Sequence, residues 1–242
     1  MKLHIAKDST QLSESLAAWM ATYIADVLTT QDRFTLVLSG GSTPKQLYAL
    51  LAATPYKELI HWEKVHFFWG DERAVPFEDE RNNARMCFEA LLDKVGVIRE
   101  NIHVMRTDIT PEESAAAYEQ VLKSYFSDSE TTFDLTLLGM GDDGHTLSLF
   151  PGMPVVHEES AWATSFFLPA QDMHRITLTA PVVNKSAAVV FLAAGAGKAE
   201  TLRQVLQGDL DVDKYPSQII SPENGQLHWF VDEAAAAGLH TK

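Results

Sequence analysis

The sequence predicts an α/β fold, a single domain over residues 1–242 built on a doubly wound, mostly parallel sheet flanked by helices. Three observations lead there. Short runs of β-branched residues and leucine alternate with segments of helical periodicity. Several of those runs end in glycine-rich loops that open into a helix. A chain of 242 residues with 46 % hydrophobic and 21 % charged positions also has enough apolar surface for a large core.

Taken in order, Leu12–Leu28 has the spacing of an amphipathic helix, and Phe34–Ser39 is the strand after it. Gly40-Gly41-Ser42-Thr43-Pro44 then turns the chain into a helix. Thr43 suits its N-cap, and Pro44 suits the first helical position, where an N–H would be unpaired anyway. Val65–Trp69 reads as a strand, Asn82–Leu92 as a helix and Asn101–Met105 as a short strand. Thr110, Pro111, Glu112 and Glu113 announce a helix running to about Phe126, with the cap, the proline and the dipole-favouring acids in place. Phe133–Leu138, Ala161–Phe167, Arg175–Thr179 and Ala188–Ala193 follow as strands. Ala199–Gln207 is helical, His228–Val231 a last short strand, and Asp232–Ala237 a closing helix. No repeat, low-complexity tract or linker divides the chain.

A net charge of −14 argues against nucleic acid or an anionic membrane as the main partner. An anionic ligand would need a local cluster of cations. Cys87 is the only cysteine, which excludes an intrachain disulfide and fits a reducing compartment. It is read as a small buried apolar residue rather than a nucleophile. The first residues lack the apolar core of a leader peptide, and no run reaches the length of a membrane span, so the expectation is cytoplasmic. No obligate protein partner is evident. The nine histidines show no H-x-x-x-H or H-x-H spacing, so neither a metal nor another cofactor is implied.

Chemistry is sought in the loops at strand ends. Gly40–Pro44 has the properties of an anion site: glycines that let the backbone approach a ligand, two hydroxyls and a helix N-terminus. A plain strand-to-helix turn is the alternative. Trp69-Gly-Asp-Glu-Arg-Ala-Val-Pro76 carries Arg73, whose forked donors suit phosphate or carboxylate. Taken alone, a surface ion pair of Arg73 with Asp71, Glu72 or Glu78 is the better account of it. Gly139-Met-Gly141-Asp-Asp-Gly144 matches the dinucleotide pattern G-x-G-x-x-G, but Asp142 and Asp143 stand where a pyrophosphate would approach. Pro151-Gly152 also arrives too soon for the usual helix. The loop ends at His145, and no lysine or arginine occurs from Ser124 to His174. A carboxylate beside that histidine would hold one ring nitrogen as N–H and leave the other as a base; a structural histidine is the alternative. Gly195-Ala-Gly197-Lys198 fails the P-loop pattern but leaves Lys198 at a helix start beside a sheet edge. Arg175 and Asn184 could join it or be ordinary surface groups. There is no G-x-S-x-G elbow.

Together these loops resemble the signatures of the 6-phosphogluconolactonase family. The residues are Leu38-Ser-Gly-Gly-Ser-Thr-Pro-Lys45, Trp69-Gly-Asp-Glu-Arg-Ala-Val-Pro76, Phe133 through Thr146, Arg175-Ile-Thr-Leu-Thr-Ala-Pro181, Gly195-Ala-Gly-Lys-Ala199 and Trp229-Phe-Val-Asp232. They span nearly the whole chain in the family's order. The resemblance implies a Rossmann-like fold shared with glucosamine-6-phosphate deaminase, and hydrolysis of the phosphorylated sugar lactone 6-phospho-D-glucono-1,5-lactone. That is the second step of the pentose phosphate pathway. It implies His145 as general base oriented by Asp143 rather than Asp142, with Arg73 assisting at the oxyanion. Gly41, Ser42, Thr43, Arg73 and Lys198 would hold the phosphate, with Arg175 a further candidate. The deaminases carry a glutamate five residues after the histidine, where this chain has Phe150, and D-E-Y where it has Asp71-Glu72-Arg73. The family's usual alanine after D-G-H-T is Leu147 here. A deaminase-like isomerase and a non-catalytic sugar-phosphate-binding regulator are the competing readings.

Overall fold

The computed structural model describes residues 1–240. Its strands are β1 (Lys2–Ala6), β2 (Phe34–Leu38), β3 (Val65–Trp69), β4 (Asp71–Arg73), β5 (Leu135–Gly139), β6 (Ala163–Leu168), β7 (Met173–Leu178), β8 (Ala188–Ala193) and β9 (Gln226–Asp232). The α-helices are α1 (Ser9–Val27), α2 (Ser42–Leu51), α3 (Tyr56–Leu59), α4 (Asn83–Cys87), α5 (Pro111–Phe126), α6 (Ala180–Val183), α7 (Ala199–Gln207) and α8 (Glu233–Ala236). Six strands form one sheet in the order β1-β9-β8-β5-β2-β3, every neighbouring pair parallel.

The apolar runs of β2 and β8 are buried throughout because both faces of this sheet are covered. The period of two sorts their side chains. Leu36 and Leu38 pack with Phe67, Trp69 and the buried faces of α1 and α2. Val37 points the other way, into a second core with Phe68, Leu138, Phe191 and the buried face of α5. The N-terminus of α5 closes as its sequence indicates: Thr110 and Glu113 form a reciprocal capping box, with Pro111 in the first turn.

Strand order decides where a ligand can sit. From β2 the chain moves to β3 on one side, and β5 returns to pair on the other. The carboxyl ends of β2 and β5 therefore diverge at a topological switch point, where open α/β sheets have a crevice. The loops after Leu38 and Gly139 face each other across it.

Three local expectations need correction, and one strand, β1, is additional to them. Asn101–Met105 is not a strand: a 3₁₀ turn over Arg99–Asn101 leads to one isolated bridge, Ile102 to Phe67. His103 N donates to Phe67 O at 2.9 Å, and its ring then turns to Tyr125. β1 carries Lys2 and His4 with Leu3 and Ile5 exposed, an edge strand held by β9 rather than by a hydrophobic pattern. Asp71–Arg73, read as loop, is a strand because β7 pairs with it; with β6 these form a separate antiparallel sheet, β4-β7-β6. Finally, α2 starts at Ser42, so Thr43 lies inside the helix. Its N-cap is Gly41, whose φ of 107° makes the turn that most other residues would resist.

Candidate active site

A cavity of about 300 Å³ opens at the switch point. Ser39, Gly40 and Gly41 line it from the end of β2, Asp71 and Arg73 from β4, and Gly139, Met140, Gly141 and His145 from the end of β5. Arg175 of β7 and Lys198, just before α7, complete its charged lining. A more open hollow of about 800 Å³ lies elsewhere, against Phe77, Phe88, Ile102 and Val104. Its arginines, Arg85 and Arg99, are paired with Glu89 and Asp93.

His145 is built by its loop. Its Nδ1 lies 2.5 Å from Asp143 Oδ1, and its backbone N donates to the same oxygen at 3.1 Å. A carboxylate only accepts, so Nδ1 carries a proton, and Nε2 is the nitrogen left to accept one in the neutral ring. Half-burial pushes the Asp143 carboxyl up, but the His145 contacts outweigh it and hold the group below its ordinary value. Gly141 is required beside the ring, since a Cβ there would come within 2.1 Å of His145 Nδ1. Distant segments clamp the same loop. Ser217 donates to Gly144 O from both N and Oγ, at 2.9 and 2.8 Å, and Thr201 Oγ1 donates to Asp142 O at 2.6 Å.

The two arginines are the more informative pair. Arg73 and Arg175 stand directly opposite in the β4–β7 register. Like charges in that position repel, and the arrangement is unfavourable without an anion to share. The Nε of each is buried without an acceptor, an orphan donor of the kind a bound oxyanion satisfies. Arg175 is 4 % exposed, and burial pushes its guanidinium below its ordinary value. Asp71 opposes that shift from 3.6 Å, and Arg73 adds to it. Gln171 Oε1, from the β6–β7 turn, accepts from Arg175 Nη2. Arg73 makes no ion pair with Asp71, Glu72 or Glu78; its Nη1 donates to Arg81 O at 2.6 Å. Glu72 instead turns inward and accepts from the N–H groups of Arg73, Asn83 and Ala84 at 2.7–2.8 Å. Lys198 reaches in from the other side, its Nζ 2.5 Å from Asp142 Oδ1.

Most of the residues singled out in the sequence converge here, with exceptions. Ser42 and Thr43 begin α2 and do not line the cavity; of that loop, Gly41 does, with Ser39 and Gly40. Tyr48 pins this loop, accepting from Ser39 N at 2.9 Å and donating to Ser39 O at 3.0 Å. Asn184 is structural: it donates to Ile219 O and accepts from Ser221 N. Asp71, Asn83, Phe150 and Gln171 line the cavity although the sequence did not mark them as site residues. Only Phe150 had a local signal, its offset from His145. Among the described residues, no three His, Cys, Asp or Glu side chains cluster as metal ligands.

The family model for glucosamine-6-phosphate isomerases/6-phosphogluconolactonase matches residues 7–229. The chain belongs to this family. Within it, the chain is 40 % identical to a 6-phosphogluconolactonase of Nostoc sp. over 98 % of each sequence. It is 39 % identical to one of Synechocystis sp. over 94 % of each. A solved 6-phosphogluconolactonase from Trypanosoma brucei superposes with a TM-score of 0.87 at 26 % identity, covering 99 % of this chain and 98 % of that one. A monomeric glucosamine-6-phosphate deaminase shares the fold, with a TM-score of 0.84 at 19 % identity over 98 % and 100 % of the two chains. The mostly parallel sheet flanked by helices is thus common to the family's lactonases and to that deaminase. No helix among the described residues is long and apolar enough to cross a membrane.

Proposed function

We propose that this chain hydrolyses 6-phospho-D-glucono-1,5-lactone to 6-phosphogluconate, with His145 as the general base. The observation that carries the reading is an Asp143–His145 pair facing opposed arginines and a lysine across one small cavity, in a chain of net charge −14. Cations gathered against the global field call for an anionic substrate, and an oriented imidazole calls for proton transfer. The names of the 6-phosphogluconolactonase relatives supply the substrate.

In this mechanism Nε2 of His145 removes a proton from water as the water oxygen bonds to the lactone carbonyl carbon. The carbonyl oxygen takes the negative charge, and donors on the cavity wall, Arg73 among them, stabilise it. The tetrahedral species collapses by breaking the bond to the ring oxygen, which receives the proton from the imidazolium. Arg73 and Arg175 share the phosphate with Lys198 and the Gly41 end of α2, the helix terminus adding positive potential. The isomerase–deaminase reading is disfavoured, because the single carboxylate in the lining, Asp71, is committed to Ser148 Oγ and Arg175.

The deciding experiment offers freshly generated 6-phosphogluconolactone and glucosamine 6-phosphate separately in coupled assays. Turnover of the lactone alone is expected. Turnover of neither, with tight binding of either, would leave a sugar-phosphate-binding regulator. A second expectation concerns Lys198→Ala, which should raise KM about 10-fold or more with kcat changed far less, as loss of one charge-assisted contact predicts. A comparable fall in kcat with unchanged KM would move Lys198 from the phosphate to the reacting centre.

A further inference from the structure

Phe150 follows His145 by five residues, yet the two rings lie face to face, their centroids 4.2 Å apart and their planes at 27°. A tight reversal brings them together. Leu147 takes a left-handed φ of 54°, uncommon for a residue other than glycine, and Leu149 N donates to Thr146 O at 2.9 Å. Ser148, fully buried, fastens the turn: its Oγ donates to Asp71 Oδ2 at 2.7 Å and its N–H to Thr177 Oγ1 at 3.2 Å. A strained turn persists where surrounding contacts over-determine it, and here they come from the small antiparallel sheet. Phe150 is 7 % exposed and forms part of the cavity wall, and the Arg175 guanidinium carbon lies 5.6 Å from its centroid.

We propose that Phe150 is a positioning residue for His145, its flat face fixing the plane of the imidazole so that Nε2 stays aimed into the cavity. The proposal rests on His145 being the base. A single hydrogen bond at Nδ1 leaves the ring free to tilt about that contact, and a planar neighbour removes the freedom. The stake is large, because a displacement of about 1 Å in a reacting group costs roughly 100-fold in rate. The π face also gives the imidazolium formed during the reaction a favourable surface to lie on. Contact with Arg175 ties the cationic half of the cavity to the base half through one side chain.

The test compares Phe150→Leu, Phe150→Met and Phe150→Tyr in the full chain, beside His145→Ala, for lactone hydrolysis. Leu and Met fill apolar volume without a plane, whereas Tyr keeps the plane. Phe150→Leu and Phe150→Met should lower kcat about 10- to 100-fold with KM within about 3-fold, and Phe150→Tyr should keep kcat within about 3-fold. NMR relaxation of the His145 ring should report one fixed orientation in wild type and Phe150→Tyr and added ring motion in Phe150→Leu, with the tautomer set by Asp143 kept in all three. Wild-type kcat in the Leu and Met variants, or equal losses in Tyr and Leu, overturns the proposal. If Phe150→Leu does not fold, the contrast between Tyr and Met decides. Full activity in His145→Ala overturns the base assignment and this proposal with it. An inactive His145→Ala beside an unaffected Phe150→Leu overturns the positioning role alone.

Discussion

Replacing His145 by alanine should lower kcat about 10²- to 10⁴-fold while KM changes by less than about 3-fold, the range for loss of a general base. The split follows from where the imidazole sits. Nδ1 is engaged by Asp143 at 2.5 Å, so the ring meets the cavity through Nε2, at the reacting carbonyl rather than the phosphate. The phosphate contacts come from Arg73, Arg175, Lys198 and the start of α2, which the substitution leaves in place. Steady-state hydrolysis with the spontaneous rate subtracted measures the effect. Near-normal turnover would remove the base assignment, and a rise in KM at constant kcat would make His145 a binding group.

Glu72→Ala should destabilise the fold by about 3–5 kcal/mol and raise KM as well. Three backbone N–H groups, of Arg73, Asn83 and Ala84, donate to this carboxyl, which is 1 % exposed. Each buried donor left without a partner costs about 1–3 kcal/mol, and water entering the vacated space would recover part of that. Because one of the three belongs to Arg73, the loss reaches the cavity: β4 loosens and the opposed arginines move apart. Burial pushes the Glu72 carboxyl up from 4.5 to about 7, against the pull of the three donors. A raised folded-state value contributes stability that is full below the unfolded value and lost as pH rises through about 7. The variant's deficit should therefore be larger at about pH 5 than at about pH 8. Denaturant melts at the two pH values test this, and an equal deficit at both would place Glu72 among ordinary ionised carboxylates.

Much of the site was legible because its parts are local. A glycine loop after an apolar run says that a strand ends and a ligand can approach, and His145 beside Asp143 is a pair formed within three residues. Cys87 as a buried apolar residue and Thr110 as an N-cap are local in the same sense. Asp71–Arg73 failed as a strand prediction because three charged residues carry no hydrophobic alternation; their pairing partner is a hundred residues away. Glu72 was weighed as a partner for the Arg73 side chain. Nothing local shows that its carboxyl instead turns inward to the backbone.

The sequence by itself determined most of the strands and helices of the parallel sheet, the glycine-rich loops at strand ends, and the few cations available to an otherwise acidic chain. Periodicity, turn chemistry and charge act over a handful of residues, so the sequence displays them directly. Only the tertiary structure decided which loops share one crevice, because strand order sets the switch point between β2 and β5. It likewise decided that Arg73 faces Arg175, which depends on strand register. The stacking of Phe150 on His145 depends on a left-handed turn fastened from another sheet. Register and packing are properties of residues far apart in the chain, and no window along the sequence contains both partners.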